Sequence, residues 1–492
     1  MEPTQSLIPP LLSLFLFFNI YPSAQYPSPT TVSGDRHREA LRRFEALKAS
    51  RVRLSDSPPS PSPSPFPSPP PPGSNGPRVY LPTSYGADPT GKLDSTDALL
   101  AAITDATNGH SEGSLIAGIA NLGGAQLYLQ GGNYLISRPL RFPAAGVGNF
   151  VIHGGTIRAS DSFPPDGYLI DLSTTNGNDK TTPSSSYNYE FITFRDLLLD
   201  SNYHGGGISV INSLRTGIDN CYISHFTTNG ILVQAGHETY VRNSFIGQRI
   251  TAGGDKGERN FTGTGINLQG NDNSITDVVV FSAAIGIMVS GQANIISGVH
   301  CYNKATGFGG TGIYLKLAGL TQTRVLNSYM DYTSIVAEDP VHLHISGTFF
   351  LGDANVVLKS VNGVVNGVNI VDNIFSGNNN GVEIVQLDQS NGNNFRKVDQ
   401  VVVDRNAVVG MKLKSTVAKK IVEANGTSLM ADFNDVLLFP NLIKHVQYSL
   451  SFEGDTFPSY VLRNVSDNRV VIQTSEAVPA NLYVTVDQSI YN

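Results

Sequence analysis

The stretch that decides the fold is "GIMVSGQANIISGVHCYNKATGFGGTGIYLK", residues 286–316. It opens on Gly-Ile-x-Val at Gly286 and closes on Gly-Ile-x-Leu at Gly312. The same tetrad starts at Gly207, Gly230 and Gly265, with GVEI at Gly381 and degenerate copies at Ile335 and Asn355. Successive starts lie 23, 35, 21, 26, 23, 20 and 26 residues apart. Between them stands a second element, an apolar residue, any residue, then Asn, Asp or Gly, as in Ile218-Asp219-Asn220 and Ile296-Ser297-Gly298. Short β-branched runs at this period, separated by polar turns, describe stacked coils of strand. The expected fold is all-β: a right-handed parallel β-helix, a single-stranded solenoid. Its turn column of Asn220, Asn243, Asp277, Asn327 and Asp372 is expected to stack, side-chain amides satisfying neighbouring turn backbone.

Working outward, "YGADPTGKLDSTDALLAAI" (85–103) places Asp88, Asp94 and Asp97 as turn and cap residues ahead of a helix. After 398 the repeat fades into runs such as "SYVLRN" and "NRVVIQTS", read as a small β-sandwich-like domain over 399–492 that covers the last coil. Upstream, residues 1–24 hold the apolar run Leu11–Phe18 and end in small residues, a signal-peptide pattern, although no Lys or Arg precedes the run. Residues 25–56 form a basic helical pro-segment and 57–77 a Pro/Ser-rich linker of the polyproline II kind. The division is completed by 78–398 as the β-helix carrying the chemistry.

The formal net charge of −7 is uneven, with residues 25–74 basic and the remainder acidic. An acidic folded part excludes nucleic acid as partner and requires a locally basic groove for any acidic polymer. The secreted chain, free of membrane after signal removal, is expected to be a monomer. Sequons at Asn260, Asn425 and Asn464 suit export. Cys221 and Cys301 fall three coils apart, roughly 14 Å at the spacing of adjacent strands, so two free buried thiols are expected.

The entry "YGADPTGKLDSTDALLAAI", followed by "GGAQLYL" and coils, resembles the pectate-lyase superfamily. "GQRITAGGDKGERNFTGTGINLQGNDNSITDVVVFSA" and "CYNKATGFGGTGIYLKL" resemble the divergent plant polygalacturonases that separate pollen tetrads, the quartet class. The resemblance spans about 79 to 492 and implies a secreted cell-wall glycoside hydrolase cleaving the homogalacturonan of pectin. Ordinary polygalacturonases carry Asn-Thr-Asp, Asp-Asp, Gly-His-Gly and Arg-x-Lys at successive coil starts. Here Thr228-Asn229-Gly230 and Gly263-Thr264-Gly265 replace the first two, and only Lys316 remains of the last. The family's catalytic carboxylates therefore do not carry over.

Glycoside hydrolysis needs two carboxylates, and equal offsets on adjacent coils supply such pairs. Counted from each coil's Gly, His237 and Asp272 share an offset, with Glu238 diagonal to Asp272. The long spacing of 35 holds an insertion with Asp255, Lys256, Glu258 and Arg259. The candidate catalytic residues are thus Glu238, Asp272, Asp255 and Glu258. His237, Lys256, Arg259, Lys316 and Tyr314 are the candidate ligands of a pectic chain, with Arg able to grip a uronate bidentately. Glu338-Asp339, ahead of Pro340, reads as a turn. No cofactor or metal is called for by this hydrolytic reading. The alternatives are a Ca-dependent pectate lyase and a catalytically inactive pectin-binding β-helix.

Overall fold

The structure, a computed structural model, describes residues 78–489 except 144, 174–186, 250–260, 304–309, 391, 453–454 and 456. The signal, pro-segment and linker expected over 1–77 lie outside the described residues, as do Asp255, Lys256, Glu258, Arg259 and Asn260.

The chain is a parallel β-helix. Each coil contributes one strand to a ten-stranded sheet and two short strands to a 23-stranded sheet. The Gly-Ile-x-Val tetrads form the ten-stranded sheet, including Gly206–Ile211, Asn229–Gln234, Thr264–Gln269, Ile285–Val289, Gly310–Leu315 and Thr333–Glu338. Their isoleucines stand in register, with Ile208, Ile231, Ile266, Ile287, Ile313 and Ile335 each paired to the next. All six are fully buried. The glycine before the first five of these isoleucines has a steric cause, while Ser334 precedes Ile335. A Cβ on Gly230 would meet the Gly265 carbonyl oxygen at 2.6 Å and Ile246 Cγ2 at 2.7 Å. The GVEI at Gly381 is the exception: Val356 pairs with Val385, so the strand is Val385–Asp388 and the tetrad is its approach.

The other two strands of each coil meet at a corner, as in Gly217–Asp219 and Tyr222–Ser224, or Tyr240–Arg242 and Phe245–Gly247. The corner residues Asn220, Asn243, Asp277, Asn327 and Asp372 all have φ between 49° and 57°, and Gly298 and Gly347 fill the same place at 65° and 61°. Asn, Asp and Gly tolerate this left-handed backbone at least cost, which explains the column. The expected amide-to-backbone bonding is corrected here. Asn220 Nδ2 donates to Asp196 Oδ1 (2.7 Å) and Asn243 Nδ2 to Asp219 Oδ1 (2.9 Å), side chain to side chain. Amides that feed turn backbone stand elsewhere. Asn273 Oδ1 accepts from Thr239 N and Asn294 Oδ1 from Asn273 N, both at 2.9 Å, inside the coil.

One core runs the length of the coils and is closed at both ends. The helix Thr96–Asn108 inserts Leu99, Ala102, Ile103 and Ala106 into it. Asp88 and Asp94 turn and cap the approach: Asp88 accepts from Thr90 N, Lys92 N and Leu93 N, and Asp94 from Thr96 N and Ser137 Oγ. At the far end Leu438 and Phe439 enter the same core. The coils continue through Lys397–Asp404 and Ala407–Val409, past the 398/399 division, because Arg405 takes the corner (φ 55°) and hides the Asn/Asp/Gly signature. The final region, from Val417, is one four-stranded antiparallel sheet among the described residues, not two packed sheets. Its middle strand, Arg469–Asp487, pairs with the other three. Cys221 and Cys301 are free and buried, and burial pushes each thiol up to about 12. Among the described residues no helix is long and apolar enough to cross a membrane.

Candidate functional site

The ten-stranded sheet has an outer face bounded by two lines of turns, one before and one after its strands. On the turn after the strands, His237 and Asp272 meet as their equal offsets require. His237 Nδ1 lies 3.2 Å from Asp272 Oδ2, with Tyr187 edge-on to the imidazole at 5.8 Å. Both carboxylates are open, the side chains of Glu238 and Asp272 being 42% and 56% exposed. Both residues also have positive φ, 52° and 59°.

Glu238 has a charged partner on the preceding coil. Arg215 Nε donates to its Oε2 at 2.8 Å, while Arg215 Nη1 reaches the buried Glu190 Oε1 at 2.5 Å. The two carboxylates push the guanidinium above its ordinary range, Glu238 first. Arg215 thereby anchors Glu238 to the 23-stranded sheet through Glu190, in the strand Tyr189–Asp200. Arg215 and Glu238 each stand eight residues after their coil's glycine, Gly207 and Gly230, so the count that pairs His237 with Asp272 pairs them too; only Glu190, upstream of the first tetrad, falls outside it.

Tyr314 stands on the outer face in the strand Gly310–Leu315, and Lys316 follows it, exposed. The Tyr314 hydroxyl donates to Glu338 Oε1 at 2.5 Å, and Lys359 Nζ donates to both, at 3.1 and 3.0 Å. Burial, then the Glu338 carboxylate, raises the Tyr314 phenol above its usual value. Glu338 is therefore part of a charged cluster rather than a turn. Its neighbour Asp339 is the turn residue, buried and accepting from Val361 N and Asn362 N. The signal was present, since Glu338 and Lys359 are register partners on adjacent coils, but the degenerate tetrads at 335 and 355 obscured it.

The charged insertion leaves from the opposite line of turns. Its base is clasped by Gln248, whose Nε2 donates to Thr262 Oγ1 (2.6 Å) and whose Oε1 accepts from Thr262 N (2.8 Å). The strand Thr264–Gln269 then separates this base from Asp272, roughly 20 Å at the rise of an extended strand. The described base of the insertion thus stands on the rim opposite Asp272. Beside the base lies a second group. Asp200 Oδ1 is 2.7 Å from His225 Nδ1 and accepts from Asn202 N at 2.9 Å, with Arg158 Nε 3.5 Å from Oδ2. Burial pushes the Asp200 carboxyl up, but its bonds from His225 and Asn202 outweigh this and hold it below the usual carboxylate range.

The outer face of the parallel β-helix is thus rimmed by two histidine–carboxylate pairs. Residues 82–311 match the family described as Rhamnogalacturonase A/epimerase, pectate lyase-like. The chain is 63% identical over 461 residues, 92% of each sequence, to Polygalacturonase QRT3 of Arabidopsis thaliana. It belongs to that polygalacturonase family. Among solved structures, ORF18 of Geobacillus virus E2 is similar with a TM-score of 0.51 and 11% identity, over 82% of this chain and 78% of that one. That likeness concerns the fold alone.

Proposed function

We propose that the protein is a secreted glycoside hydrolase that cleaves homogalacturonan in the plant cell wall, as a monomer and without a cofactor. The observation that carries this reading is the placement of Glu238–Arg215 beside Asp272–His237 on adjoining coils of a polygalacturonase-family chain. The polymer lies across the outer face of the ten-stranded sheet, past Tyr314 and Lys316. Asp272, sharing a hydrogen with His237, gives a proton to the glycosidic oxygen, which leaves as a hydroxyl. Glu238, oriented by Arg215, takes a proton from the water whose oxygen adds to the anomeric carbon. Asn425 and Asn464, exposed on the C-terminal sheet, carry N-glycans in the exported protein.

The test follows reducing ends and the ultraviolet absorbance of unsaturated uronide together, on de-esterified polygalacturonate with Ca²⁺ or with chelator. Reducing ends without absorbance, indifferent to chelator, are expected. Absorbance that vanishes with chelator would instead make the protein a lyase. Silence from protein that still binds the polymer would make it an inactive binder.

A further inference from the structure

The turn before the ten-stranded sheet holds a cation with no counter-ion among the described residues. Arg249, next to the base of the insertion, makes no ion pair among the described residues, and its Nε is buried without a hydrogen-bond partner. Its guanidinium carbon sits 4.6 Å over the centre of the Tyr203 ring. Tyr203 also meets His225, ring centres 4.7 Å apart with the planes tilted by 41°, and His225 is held by Asp200. Guanidinium, phenol, imidazole and carboxylate therefore form one continuous, tilted stack of contacts.

The stack is held rigidly. Asn202, Tyr203 and His225 all adopt left-handed backbone, at φ 48°, 62° and 56°, a conformation that non-glycine residues keep only when their surroundings impose it. Tyr203 N donates to the His225 carbonyl at 2.8 Å. Asn202 spans Asp161 (2.9 Å from Nδ2) and Arg158 (3.4 Å to Oδ1). The nearby carboxylates are already committed, Asp200 to His225 and Arg158, Asp161 to Asn202. Among the described residues Arg249 is the cation left without an anion.

From this stack we infer that Arg249 is the carboxylate-binding subsite for an acidic sugar, with Tyr203 as the residue that positions it. A guanidinium already oriented by a cation–π contact offers paired N–H donors in a fixed plane, which suits a carboxylate. This deepens the reading above, since it supplies the uronate contact on the rim opposite Glu238 and Asp272. One polymer crossing the sheet would touch both rims.

The experiment measures binding of a galacturonate hexamer and of its methyl ester by calorimetry, in an Asp272→Asn background so that neither is consumed. Arg249→Met is expected to weaken the acid by roughly tenfold to a hundredfold, the worth of a lost charge-assisted bond. The ester should bind equally to both proteins. Tyr203→Ala should weaken the acid less, and Arg249→Lys should restore part of the loss. Equal weakening of acid and ester, no change in either, or no binding of the acid to the parent would each overturn the subsite. Hydrolysis is read separately by reducing ends, so loss of the subsite and loss of the hydrolase reading are distinguishable.

Discussion

The molecule builds the same pair twice. Asp200–His225 and Asp272–His237 each join a carboxylate to an imidazole Nδ1 across adjoining coils, at 2.7 and 3.2 Å. One stands before the ten-stranded sheet and the other after it. Their surroundings differ. Asp200 is 20% exposed and its lone pairs are taken by His225, Asn202 and Arg158. Asp272 is 56% exposed and bonds to His237 alone among its side-chain contacts. A carboxylate whose acceptor sites are filled holds structure together, whereas one with vacant sites can exchange a proton with substrate or water. Residue type does not separate the two pairs; partner number and burial do.

The sharpest way to break this comparison is to neutralise the open pair. Asp272→Asn and Glu238→Gln are each expected to lower kcat on polygalacturonate by roughly 10²- to 10⁴-fold, with melting temperature almost unchanged. Wild-type turnover in both would remove them from the chemistry. The filled pair should behave inversely: Asp200→Ala should cost about 2 kcal/mol of stability by leaving His225 and Arg158 without their acceptor. A denaturant melt reads this, and a large fall in kcat at unchanged stability would exchange the roles of the two pairs.

Acid titration sharpens the contrast. The folded Asp200 carboxyl is held below its ordinary value, so its contribution is present above the unfolded value near 4 and is lost as pH falls through the folded one. The stability gap between wild type and Asp200→Asn should be flat from neutral pH to about 4 and shrink below it. A gap that widens on acidification would contradict the assignment. The smallest effect concerns the core between the rims. With both thiols pushed up to about 12, Cys221 and Cys301 should ignore a thiol reagent at neutral pH until the protein is unfolded. Rapid labelling of native protein would show that the coils open.

What could be read from the sequence follows the steric demands. Gly207, Gly230, Gly265, Gly286 and Gly312 are legible because any Cβ there would strike the next coil. Counting from them brought His237 to Asp272. The same count places Arg215 on Glu238, both eight residues past their glycines, whereas Glu190, upstream of the first tetrad, left no periodic trace. Corner residues were found but their cause was misassigned, since Asn and Asp serve both left-handed backbone and amide bonding. The alternating runs after Val417 announce strands without stating how many sheets they make.

The glycine column has a further consequence for how such a chain can change length. Each glycine answers to its own coil and the next one alone, Gly207 to Ile223 and Gly230, Gly230 to Ile246 and Gly265. Gaining or losing one whole coil would therefore leave both end plugs, Leu99–Ala106 and Leu438–Phe439, fitted as before. A shift by a single residue would instead turn every inward isoleucine to solvent. The coil, rather than the residue, is the grain in which this fold can be lengthened, duplicated or trimmed.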